Sequence, residues 1–173
     1  ASVSTGVELN QRVSAGLETG LEILDADIRL EFQKELGSLD DLAALTSKWE
    51  QEKAGMVILR SNAAQWLGKN PPSIPTFIGG CNHPGQLGAV ENLESPEGKI
   101  TGVTYYLPKK NQFEVFTAIL PTLESVLLLL EKGHPSSKID QDGTKQVCNE
   151  LGIGYYERLC SSKEDAVQAV QDH

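Results

Sequence analysis

The sequence predicts an α/β protein of two Rossmann-like three-layer lobes, the second of them incomplete. Three observations predict it. Short apolar runs of strand length alternate with segments of helical periodicity, the order that builds a parallel sheet with helices on its faces. Turns rich in glycine or small polar residues follow several of the runs, Gly79-Gly80 above all. After Pro121 the strand-then-helix order begins again. The expected division is 1–100 for a first lobe, 101–121 for a crossing strand and helix at a hinge, and 122–173 for a partial second lobe.

Leu9, Val13, Leu17, Leu21 and Leu24 share one helical face, which predicts a helix over about 8–23. Ile28, Leu30 and Phe32 alternate with Asp27, Arg29 and Glu31, the pattern of a strand with one wet face near a sheet edge. Ser38-Leu39-Asp40-Asp41 is a capping box that starts a helix through Leu42, Leu45 and Trp49 and places two carboxylates at its positive end. Gly55 to Leu59 is a continuous apolar run, expected of a strand covered on both faces. Ser61 and Asn62 follow it and precede a helix. They read as an N-cap or, alternatively, as polar lining of a pocket at the carboxyl end of the sheet.

Pro71-Pro72 ends that helix, and Ile74 to Ile78 is the next strand. Gly79-Gly80 lets the backbone approach closely or turn left-handed, after which Asn82-His83-Pro84 is expected to start a helix with proline in its first turn. Ser95-Pro96-Glu97-Gly98 is turn chemistry, and Ile100 to Tyr106 alternates as a strand. A helix over about 110–120 follows. Ser125–Leu130 and Gly154–Leu159 are then strands, each followed by a helix, over about 138–151 and 163–171. Two βα units are too few for a parallel sheet covered on both faces, so the second lobe is expected to be completed by residues outside this chain or by another chain.

Charge and composition narrow the function classes. The 173 residues are 39% hydrophobic, enough for a core, and 24 acidic against 15 basic residues give a net charge of −9. That sign opposes phosphate backbones and anionic lipid, so no nucleic-acid partner is expected. No apolar run approaches the ~20 residues of a membrane-spanning helix. Cys81, Cys148 and Cys160 have no C-x-x-C spacing and read as small buried thiols, with a Cys148–Cys160 bridge as the alternative. His83, His134 and His173 lack metal-ligand spacing, no nucleophile or dinucleotide motif occurs, and no metal or cofactor is expected. Cys81-Asn82-His83 sets a thiol beside an imidazole, but adjacent turn residues rarely aim at one target, so a non-enzymatic role is favoured.

From Ile74 onward the residues run Ile74-Pro75-Thr76-Phe77-Ile78, His83-Pro84, Leu87-Gly88-Ala89-Val90, Asn92-Leu93-Glu94-Ser95-Pro96-Glu97-Gly98-Lys99-Ile100-Thr101-Gly102-Val103-Thr104, Leu107-Pro108, and Phe113-Glu114-Val115-Phe116 to Leu120-Pro121. This collinear order resembles the ABC transporter substrate-binding protein family, in the branch that includes aromatic-amino-acid binders. Val13 to Leu21, Ser61 to Gln65 and Cys148 to Gly152 resemble its first helix, its T-P-A-A-Q turn and its K-L-G segment.

The resemblance implies the type I periplasmic-binding fold, a periplasmic or otherwise extracytoplasmic location, an ABC permease as partner, and a small-molecule ligand, an amino acid or other small carboxylate, held between two lobes. By position it implies ligand contacts from Ser4, Thr5, Ser61, Asn62, Asn82, His83, Thr104, Tyr105, Ser136 and Ser137. The chain has Tyr105 and His83 where those binders carry aspartates, which removes a partner for a ligand ammonium; Tyr105 offers a stacking face instead. It also lacks the apolar run that precedes the first loop in the family, so a fragment or a shortened relative is expected. A ligand-sensing domain of a signalling protein uses the same fold and stands as the alternative to a transport component.

Overall fold

The computed structural model of the chain describes residues 7–33 and 36–173. The order is α1 (Val7–Ile23), α2 (Leu39–Glu52), β1 (Met56–Leu59), α3 (Ser61–Lys69), β2 (Thr76–Cys81), β3 (Ile100–Thr104), α4 (Lys109–Ile119), β4 (Ser125–Glu131), α5 (Ser137–Leu151), β5 (Gly154–Cys160) and α6 (Lys163–Gln171). The chain divides into two compact units, Ala1–Thr104 and Tyr105–His173. Both sheets are parallel, of order β1-β2-β3 in the first unit and β4-β5 in the second.

In the first unit, α2 starts where its capping box predicts. The Ser38 hydroxyl oxygen accepts the Asp41 N–H at 3.1 Å, satisfying an amide that the helix cannot, and Asp40 and Asp41 occupy the first turn. Leu42, Thr46 and Trp49, spaced one turn apart, form its buried face. Small residues let α3 approach closely: Ala63, Ala64 and Leu67 are buried, and a Cβ on Gly68 would meet the Gly88 carbonyl oxygen at 2.5 Å. Met56 and Ile58 of β1 and Ile78 and Cys81 of β2 are buried with them.

Three sequence expectations fail in this unit. Residues 26–33 form no strand. Alternation creates an apolar face but supplies no ladder partner, and the β1-β2-β3 sheet does not take this segment; Ile28 stays 61% exposed. Glu31 is instead tied by an ion pair to Lys53, which holds its carboxyl below the usual range. Residues 84–90 make turns and no helix: Leu87 N–H donates to the His83 carbonyl and Ala89 N–H to the Pro84 carbonyl, and Gly88 at φ 81° ends the coil after one turn. Finally, Val57 and Leu59 of β1 are only half-buried where both faces were expected to be covered; among the described residues β1 pairs with β2 alone.

In the second unit the two βα repeats follow the sequence closely. Phe113 of α4 and Val147 and Cys148 of α5 form the core, with Val126, Ile153 and Tyr155 packed against it. Gly152 in the left-handed conformation, φ 69°, terminates α5. Ser162 caps α6 by accepting the Asp165 N–H at 3.1 Å. Lys109 at the start of α4 pairs with Asp140 of α5 at 2.8 Å. All three cysteines are buried free thiols, so Cys148 and Cys160 form no bridge.

Candidate functional site

Parallel strands deliver their carboxyl ends to one edge of a sheet, and the loops that follow them meet there. In the first unit those loops leave β1 at Arg60-Ser61, β2 at Cys81-Asn82-His83 and β3 at Thr104. Side-chain hydroxyls tie the three together. The Ser61 hydroxyl oxygen accepts the Asn82 N–H at 3.0 Å. The Thr104 hydroxyl lies 2.9 Å from the Cys81 carbonyl oxygen and 2.6 Å from that of Asn82, donating to this pair. The Asn82 side-chain oxygen accepts the His83 N–H at 2.8 Å, and His83 Nδ1 accepts the Gln86 N–H at 3.2 Å. The strand ends therefore form one hydrogen-bonded rim.

This differs in detail from the sequence reading. Ser61 does not cap its helix: it is the first residue of α3, buried, with its hydroxyl used across the sheet, and Arg60 occupies the cap position with no side-chain cap bond. Asn62 lies in the first turn of α3, whose positive end and amides suit an anion. Asn82 is 4% exposed, so its amide belongs to the rim's inner layer. β3 ends at Thr104, leaving Tyr105 outside the ladder and 58% exposed.

Tyr105, Ser136 and Ser137 belong to the second unit. There Ser136 is buried, and its N–H donates to His134 Nδ1 at 3.1 Å. Ser137 begins α5, its hydroxyl donating to the Glu131 carbonyl at 2.7 Å where β4 ends. The turn after β4 thus repeats a device of the turn after β2: Gly133-His134-Pro135 echoes Asn82-His83-Pro84, and each imidazole Nδ1 accepts an N–H of its own turn. The paired His-Pro steps were visible in the sequence and carried this signal. Ser4 and Thr5 lie outside the described residues.

Sequence reasoning missed Arg60. Among the described residues only it and Asp25 have positive φ without being glycine, and Arg60, at φ 87° and ψ 157°, sits where glycine is normally required. A charged residue between a strand and a helix start was the available signal.

Nucleophilic chemistry at Cys81 finds no support in its surroundings. Burial pushes the thiol up to about 11, against the smaller opposing effects of its own backbone and Thr104. Among the described residues no group of three or more His, Cys, Asp or Glu side chains is placed to hold a metal ion, and no helix is long and apolar enough to cross a membrane.

Comparison with known proteins agrees with this architecture. The tyrosine-binding protein of Clostridioides difficile (strain R20291) is 21% identical over 145 residues, 83% of this chain and 42% of that protein. A Streptococcus pneumonia ABC domain in complex with L-Trp superposes with a TM-score of 0.77 at 19% identity, over 99% of this chain and 59% of that one. A conserved domain protein from Vibrio cholerae superposes at 0.80, also at 19% identity, over 99% of this chain and 60% of that one. The chain therefore spans less than two thirds of the length of these relatives, in keeping with an incomplete second lobe. The profile described as ABC transporter substrate binding protein matches residues 7–173, nearly the whole sequence, and the chain belongs to that family.

Proposed function

We propose that this chain is part of the solute-binding component of an ABC uptake transporter, acting outside the cytoplasm and delivering a small organic metabolite, an amino acid or other small carboxylate, to a membrane permease. The observation that carries the reading is the rim at the carboxyl ends of β1, β2 and β3, where Ser61, Asn82, His83 and Thr104 are joined by hydrogen bonds in a member of this family. A pre-organised polar rim beside the positive end of α3 suits a ligand carboxylate, because its donors need little reordering on binding. The family resemblance adds Ser4, Thr5, Asn62, Tyr105, Ser136 and Ser137 as further proposed ligand contacts. A tyrosine-binding relative and a neighbour holding L-Trp support a ligand of this size and class. The role is binding without turnover, in keeping with the protonated, buried Cys81.

The test is calorimetric titration and thermal-shift screening of the whole protein with amino acids, nucleosides and small carboxylates. Saturable binding of a carboxylate, weakened in Asn82→Ala, is the expected result. No binding by any of the three classes sinks the reading.

A further inference from the structure

We draw no further inference here: the strongest candidate, the cleft beside α1 where Glu18, Glu22 and Asp25 border Leu21, Ile28 and Leu30, is a partly exposed apolar surface with an acidic edge, and nothing in the structure shows what covers it.

Discussion

Thr104 Oγ1 sits 2.6 Å from the carbonyl oxygen of Asn82, so a hydroxyl at the end of β3 fixes the turn that leaves β2. The same hydroxyl lies 2.9 Å from the Cys81 carbonyl, at the point where the β2–β3 register shifts. A parallel ladder that slips register loses regular amide partners there, and the side chain supplies one in their place.

Thr104→Val keeps the shape of this residue and removes only the donor. Two carbonyls then lose it, and because Thr104 is exposed, water compensates in part; the expected cost is about 1 kcal/mol. Denaturant unfolding should show a lowered midpoint with an unchanged slope, and Thr104→Ser should restore it. If the turn matters for binding as proposed, the valine variant also loses ligand affinity beyond its loss of stability.

The parts of the fold that could be read in advance were those fixed by local chemistry. Ser38 and Ser162 cap their helices, Gly152 ends α5, and the β4-α5-β5-α6 order follows apolar runs and breakers nearly residue for residue. What could not be read depends on partners distant in sequence. Ile28, Leu30 and Phe32 alternate as a strand should, but a strand exists only with a ladder, and the sheet edge they would need is not offered to them. Ser61 reads as a cap from its neighbours, yet its hydroxyl is taken by Asn82, twenty-one residues on. The strained backbone of Arg60 left only a charge between a strand and a helix start as its signal, because arginine is not a residue expected at positive φ.

Cys81 should be slow to modify. With the thiol pushed up to about 11 by burial, the thiolate is scarce at pH 8, and the side chain is fully enclosed. A thiol reagent such as 5,5′-dithiobis(2-nitrobenzoate) is expected to react with this cysteine only as the unit opens, so its rate should rise steeply with urea. The pH dependence has a definite sign. An unfolded cysteine loses its proton near 8.5, below the folded value, so the unfolded state binds fewer protons between about pH 9 and 11 and stability falls across that window. Cys81→Ala should flatten the alkaline fall in melting temperature; an unchanged profile would show that the thiol is not as enclosed as it stands here.

Gly102 is a position where both space and backbone conformation demand glycine, its φ of 158° being one that L side chains rarely adopt. It pairs with Ile78 across the β2–β3 ladder, and a Cβ there would lie 2.0 Å from the Ile78 carbonyl oxygen. That neighbour is backbone and cannot turn aside, so Gly102→Ala must bend or separate the strands just before the rim. The expected cost is about 2 kcal/mol or more, from the backbone overlap and the strained φ together. By contrast, Gly16 in α1 has open space at its Cβ, and Gly16→Ala should stabilise its helix by about 0.5–1 kcal/mol. Unfolding midpoints of the two variants should move in opposite directions.

The second unit carries its own pH signal in Glu157. Tyr155 donates its hydroxyl to this carboxylate, and the Gln141 amide donates to both its oxygens at 2.8 and 2.9 Å. Those bonds, Tyr155 first and Gln141 second, hold the Glu157 carboxyl below its usual range, while burial and the facing carboxylate raise the tyrosine. Lys138 and Lys145 add smaller favourable charge. A carboxyl depressed in the folded state contributes stability above its ordinary value of 4.5 and loses it as pH falls from there through the lower folded value. Tyr155→Phe removes the first cause, so the carboxyl should titrate closer to its ordinary value and the fall in melting temperature as pH drops below 4.5 should become shallower. Gln141→Leu should act in the same direction more weakly. An NMR titration of the Glu157 side chain reads the shift directly, and an identical midpoint in wild type and Tyr155→Phe would mean that the tyrosine hydroxyl does not hold the charge.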